Sequence, residues 1–285
     1  MDFFNKLLNP LQGRHEKPKY QDLSKESQKV SARPPSALLL YSRDLAGEQI
    51  QKHMNLLNGC AWIRAQYTYP AFDDMTFIYK NKVFSVAIDI QDEKGNSYLP
   101  IEYISRQLYA CEHNNLIPCK FPITVPNPEE PDFEKVKSKT NGWNLFNTKT
   151  NEEIFPEQLA TTEKVKLSEW EMRNLAVKYA LMYLNAKKYK VFSYQDILEA
   201  DPQIWFEDKN GKKCWLLVRS ALAPVKDVEK PPKLQEIIRR CFKNDGYFLG
   251  IIFTPQNEDE KDLNLYRFGQ VKINIADLEK IHSVM

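Results

Sequence analysis

The stretch MTFIYKNKVFSVAIDIQ, from Met75 to Gln91, decides how the chain is read. Two runs rich in β-branched and aromatic residues, Met75 to Tyr79 and Val83 to Gln91, flank the short polar Lys80-Asn81-Lys82. That pattern predicts two strands joined by a turn. Strand side chains alternate with a period of two, so Asp89 and Gln91 share a face with Val83, Ser85 and Ala87. Those three are mostly small, which leaves room on that face for a ligand.

Working outward, a third β-rich segment over 60–69 precedes the hairpin and completes a meander. Ahead of it, Asp44 is placed to cap a helix whose apolar Ala46, Ile50, Met54 and Leu57 recur at helical spacing, with Asn58-Gly59 as its stop. Behind the hairpin, Ile104, Leu108 and Cys111 mark one face of a helix over 101–114, and 116–125 reads as a strand. Helix, three strands, helix, strand is the expected order over 36–125.

The order recurs further on. Ser168-Glu169-Trp170-Glu171 is a capping box: the serine hydroxyl accepts from the Glu171 amide while the Glu171 carboxylate reaches back to the cap amide. Met172, Leu175, Ala176, Tyr179, Met182, Tyr183 and Ala186 continue that helix to about 188. Strands are expected at 190–194, 204–207 and 213–220, a helix over 232–244 and a strand at 247–254. Two more β-like stretches lie within 263–275, and 277–281 is expected as a short helix. The fold class is α/β (α+β), two similar halves each with a mixed central sheet flanked by helices. The likeness of the halves is architectural, since few identities link them.

Residues 1–35 read as a polar leader with one apolar cluster at Phe3, Phe4, Leu7 and Leu8. The first domain spans 36–125. Proline and charge crowd 126–140 (Pro126, Pro128, Pro131, then Glu134 to Lys139), as in an extended connector. The second domain spans 141–285, entered through a hairpin with arms at 143–146 and 153–155.

With 42% hydrophobic and 27% charged residues, the 285-residue chain has ordinary globular composition. It has no apolar run of the roughly 18 to 20 residues a spanning helix needs, and its start lacks the apolar core of a signal peptide. A cytoplasmic location without membrane contact is expected. The five cysteines are odd in number and scattered, which indicates reduced thiols. Lys and Arg total 40 against 38 acids, a net charge of +2 that does not by itself demand a nucleic-acid partner.

The α-β-β-β-α-β order resembles the core of the restriction-endonuclease-like, PD-(D/E)xK, superfamily. In that family the second strand carries an Asp and the third a (D/E)-x-K, because two carboxylates hold a divalent metal while the lysine orients the attacking water. In the second half, Gln203 stands where the family Asp would be, Leu217 where the acid would be, and Arg219 replaces the lysine. Only Asp201 remains as an acid, so this half is expected to be catalytically dead, with Trp205, Trp215 and Leu217 as packing residues. The first half keeps more: Asp74 precedes the second strand, Asp89-Ile90-Gln91 ends the third, and Glu48 on the first helix is a further acid.

Gln91 has no charge to orient or activate water. The reading that follows is a non-catalytic binding or scaffold protein on a degenerate nuclease-like fold, without a cofactor and with a protein or ligand partner of unspecified identity. The alternative is a Mg²⁺-dependent nuclease using Asp74 and Asp89, with Gln91 or a nearby Lys in the lysine's role. Arg219, Arg239, Arg240 and Lys243 are candidate ligand or phosphate contacts, although basic clusters such as Arg239-Arg240 and Lys187-Lys188 also suit helix ends, where they meet the dipole and water. Cys111, His113 and Cys119 lack the second ligand pair of a structural zinc site. Glycine motifs for nucleotides and nucleophile elbows are missing from the sequence.

Overall fold

A computed structural model describes residues 36–64, 75–138, 142–196, 198, 200–259 and 261–281. The chain divides into two compact units, which within those residues run over 36–165 and 166–281. The leader, the far end of the first expected strand, Asp73 and Asp74 lie outside the described residues.

The first unit opens with helix α1 (Ala37–Met54), followed by strands β1 (Cys60–Arg64), β2 (Met75–Tyr79) and β3 (Lys82–Gln91). Helix α2 (Ile101–Asn114) and strand β4 (Ile117–Thr124) complete the expected order. α1 starts two turns before Asp44, because Ser36 is a better-placed cap: its side chain accepts from the Leu39 amide at 3.1 Å. From there Leu38, Ser42, Ala46, Ile50 and Met54 form one buried stripe, and Asp44 is an exposed interior residue.

With β5 at Phe146–Asn147, the sheet order is β1-β2-β3-β4-β5, antiparallel except for the parallel β3–β4 pair that α2 connects. The central β3 is buried from Val83 to Asp89. Met75 packs beneath Gly47 of α1 and pairs with Val86, so the even-numbered positions of β3 face α1. Ser85, Ala87, Asp89 and Gln91 therefore project from the other face.

The hairpin read as the entrance to the second half belongs to the first unit instead. Its first arm, β5 (Phe146–Asn147), pairs with β4, and Phe146 bridges to Glu153. Trp143, ahead of it, stacks on Phe77 with ring centroids 5.6 Å apart, and its Nε1 donates to Glu157 just inside the short helix α3 (Pro156–Leu159). The buried Asn81 in the β2–β3 turn exchanges hydrogen bonds with Thr161 and donates to the Glu163 carbonyl. Each contact ties part of 142–165 to the first sheet, and spacing along the chain carries no trace of them.

The second unit begins with α4 (Glu169–Ala186), whose capping box forms as expected: Ser168 Oγ accepts from the Glu171 amide at 3.2 Å, and Glu171 accepts from the Ser168 amide at 2.9 Å. Strands β6 (Lys190–Tyr194), β7 (Ile204–Glu207) and β8 (Lys213–Leu222), helix α5 (Leu234–Arg240) and strand β9 (Asp245–Pro255) follow. Their sheet runs β6-β7-β8-β9, with β8 and β9 parallel, and β10 (Val271–Ile275) and β11 (Glu279–Ile281) share the outer edge of β9.

Two expectations fail here. The last segment is the strand β11 and not a helix, because the open edge of β9 offers it backbone partners. Helix α5 is half the expected length, ending where Cys241 turns the chain toward β9.

Period-two alternation along β8 builds two cores. Cys214, Leu216 and Val218 pack with Ala176, Ala180 and Leu184 of α4, whereas Trp215 and Leu217 pack with Ile237 and Ile238 of α5. The mixed α/β class and the repeated element order are thus present in both units. No helix among the described residues is long and apolar enough to cross a membrane.

Candidate functional site

Counted from the first parallel pair of each unit, Phe84–Ile117 and Cys214–Asp245, Asp89 and Arg219 are both the sixth residue of their ladder. Each lies on the sheet face opposite the unit's first helix.

In the first unit Asp89 is 0% exposed. Gln91 Nε2 donates to its Oδ2 at 2.7 Å, as the shared strand face allows. Two further partners were not foreseen from sequence. The loop after β3 turns on Asp92, which accepts from the Lys94 and Asn96 amides, and returns so that Ser97 bridges to Gln91. That return brings Ser97 Oγ to 2.5 Å from Asp89 Oδ1. Lys120 pairs across the parallel ladder with Ala87, two residues before Asp89, so its side chain rises on the same face and its Nζ reaches 3.5 Å from Oδ2.

The signal for Ser97 was the Asp92–Asn96 turn sequence, which predicts a reversal of the chain. Lys120 follows only from the β3–β4 register. Nearby, Gln107 of α2 is buried, donating to the Ser85 and Cys119 carbonyls and accepting from Thr148. Gln107, rather than the expected Ile104 and Leu108, centres the buried face of α2 beside Cys111.

Glu48 is exposed on α1 and does not join Asp89's partners. Asp74, the other member of the expected Asp74–Asp89 pair, lies outside the described residues. Among the described residues no three His, Cys, Asp or Glu side chains group as metal ligands. His113 is exposed, with Nδ1 at 2.8 Å from the Tyr109 carbonyl, whereas Cys111 and Cys119 are buried.

In the second unit, Arg219 Nη2 donates to both oxygens of Asp201, at 2.8 and 2.7 Å. Gln203, fully buried where the family Asp would stand, donates to Asp201 at 2.6 Å and accepts from the Val218 amide and Arg219 Nη1. The guanidinium is thereby engaged by the chain's own carboxylate, which leaves Arg219 poorly placed to hold a phosphate. Leu217 is fully buried against α5, as a packing residue.

The basic residues Arg239, Arg240 and Lys243 are exposed around the end of α5. Four thiols are held protonated: burial, with Glu157 nearby, pushes Cys60 up to about 12, burial pushes Cys214 and Cys241 up to about 11, and burial, with Cys111 beside it, pushes Cys119 well above the usual thiol range.

A metal of the kind the nuclease comparison implies does not fit these residues. Each oxygen of the buried Asp89 is engaged by a protein donor, and at the matching place in the second unit Asp201 is already paired with arginine. No curated protein and no solved structure matches the chain. Residues 170–281, from the first turn of α4 to β11, are similar to a family described as a domain of unknown function, DUF8840.

Proposed function

We propose that the chain is a non-catalytic binding or scaffold protein, built from two degenerate nuclease-like units that arose by internal duplication. One observation carries the reading: at the same ladder position of each unit, a charged side chain is neutralised and covered by its own neighbours. Asp89 is closed by Ser97, Gln91 and Lys120; Arg219 is closed by Asp201. A hydrolytic metal centre requires carboxylate oxygens converging on open space, and both networks spend theirs internally. The five free thiols suit a cytoplasmic location.

The test is incubation of the purified chain with DNA and RNA in Mg²⁺ or Mn²⁺, beside a calorimetric titration with either metal. No cleavage and no stoichiometric metal uptake are expected. Metal-dependent cleavage abolished by Asp89→Ala overturns the proposal. It favours the second reading, a Mg²⁺-dependent nuclease using Asp74 and Asp89, for which Lys120 is the nearby lysine: its ammonium lies 3.5 Å from Asp89.

A further inference from the structure

The two lysine and arginine clusters that sequence leaves apart, at 187–190 and 239–243, meet at one end of the second unit's sheet. Helix α4 ends there with Lys187 and Lys188, and Lys190 opens β6. The β7–β8 turn adds Lys209, Lys212 and Lys213, since Glu207 pairs with both Lys190 and Lys213. Helix α5 ends at the same place with Arg239 and Arg240, then Lys243, because the chain enters β9 at Asp245 opposite Cys214. Lys280 arrives from β11, which pairs with the first residues of β9. All ten cations are exposed.

Against them, among the described residues, stand Glu207, Asp208 and Asp245, with Glu236 one helical turn before Arg239 and Arg240. Asp208 is committed to the turn through the Asn210 and Lys212 amides, and Asp245 is shared by Lys212 and Lys280 at 2.7 and 3.1 Å. Glu279, one residue further away, is paired with Lys230.

Helix dipoles do not account for this concentration. Two helix C-termini supply about half a negative charge each, so with four carboxylates the edge keeps an excess of about five positive charges. The whole chain carries only +2. The cations also reach both faces of the sheet, since α4 and α5 pack on opposite sides of β8. From β6 to β9 they span three strand spacings, about 15 Å. Among the described residues, the exposed large apolar side chain at this edge is Phe242, 73% exposed, with Lys243 Nζ 5.8 Å from its ring centroid. A membrane-docking face would present several such side chains together. The half-buried rings of Tyr183 and Phe192 also lie under Lys187, Lys190 and Lys213, and one exposed ring, Phe242, set among lysines and arginines suits a base stacked on it with phosphates on either side.

We propose that this edge of the second unit binds single-stranded nucleic acid, with Arg239, Arg240, Lys187 and Lys188 on phosphates and Phe242 under a base. The proposal goes beyond the non-catalytic reading and does not depend on it. The edge lies at the opposite end of the strands from the Asp201–Arg219 pair, and binding is read without any cleavage.

The experiment is fluorescence anisotropy of a labelled single-stranded DNA of about 20 nucleotides with the full chain at graded salt. Binding is expected to weaken with salt at a slope of about −0.7 per phosphate contact, with at least three contacts. Arg239→Glu with Arg240→Glu, and separately Lys187→Glu with Lys188→Glu, should each lower affinity at least tenfold with unchanged circular dichroism. Lys52→Glu with Lys82→Glu, an equal charge change in the first unit, should leave affinity within about twofold. Phe242→Ala should weaken the single strand more than a duplex of the same sequence. No binding at low salt overturns the proposal, as does equal loss in the first-unit control. Equal binding of polyglutamate, or recruitment to phosphatidylserine vesicles with oligonucleotide binding absent, assigns the edge to another partner class and overturns it as well.

Discussion

Gly246 sets the closest approach in the second unit. It pairs directly with Trp215, and a Cβ built on it falls 2.1 Å from a carbon of the indole ring. The ring is held there, with its Nε1 donating to the Asn244 carbonyl at 3.1 Å, so it has little freedom to withdraw. Gly246→Ala should therefore overpack this core and cost about 1 to 3 kcal/mol in chemical denaturation; an unchanged midpoint would show that Trp215 yields easily. Cys60 gives a residue-scale test of electrostatics. Its thiol is pushed up to about 12, chiefly by burial, so at pH 8 only roughly one part in ten thousand is thiolate. Alkylation of Cys60 in the native protein should be slow and should still climb about tenfold per pH unit at pH 10, where an ordinary thiol has levelled off; a plateau near pH 9 contradicts the assigned burial. At this scale the sequence was legible where side chains share a strand face: Asp89 and Gln91 do hydrogen-bond. It was not legible for Ser97 and Lys120, which depend on how a loop returns and on the register of a neighbouring strand.

Elements that close on themselves within a few residues are those that sequence located best. The β2–β3 hairpin, the β7–β8 turn and the α4 capping box each satisfy their own backbone groups locally, and each formed where expected. Ser168→Ala should thus cost about 1 kcal/mol of stability, the usual loss of a helix cap. The Glu171 carboxylate is held independently by Arg267, at 2.8 and 3.0 Å, so the helix start should survive in place while the midpoint falls. A midpoint equal to the parent's would mean that the Glu171–Arg267 pair alone fixes the start of α4. Elements defined by distant partners were misread. Residues 279–281 have little intrinsic signal for either structure, and the unpaired first residues of β9 decide the matter by accepting them as a strand. The start of α1 was placed too late for a different reason: Asp44 is a good cap residue, but Ser36 takes the role two turns earlier and the apolar stripe extends back to Leu38.

At the scale of the whole molecule, the repeated element order was legible and the boundary between the units was not. A proline-rich, charged stretch reads as a linker, yet Lys137 exchanges backbone hydrogen bonds with Thr124 at the end of β4, and the chain beyond it returns to the first sheet. The contacts that hold 142–165 there are buried or aromatic: Trp143 on Phe77 and His53, Leu145 with no exposed surface, and Asn81 bound to Thr161 and Glu163. The second unit's two cores are drawn from Leu167 onward. Two fragment designs separate these boundaries. Residues 36–165 should unfold cooperatively in urea, as should 166–285, since each retains its sheet and covering helices. Residues 36–125, ending where the sequence reading placed the boundary, should lose several kcal/mol, since Phe77 loses its stacking on Trp143, Asn81 loses its hydrogen bonds to Thr161 and Glu163, and β4 becomes an open edge. The measurement is the midpoint and slope of the transition for 36–125 against 36–165; equal values for the two would return the boundary to 126–140.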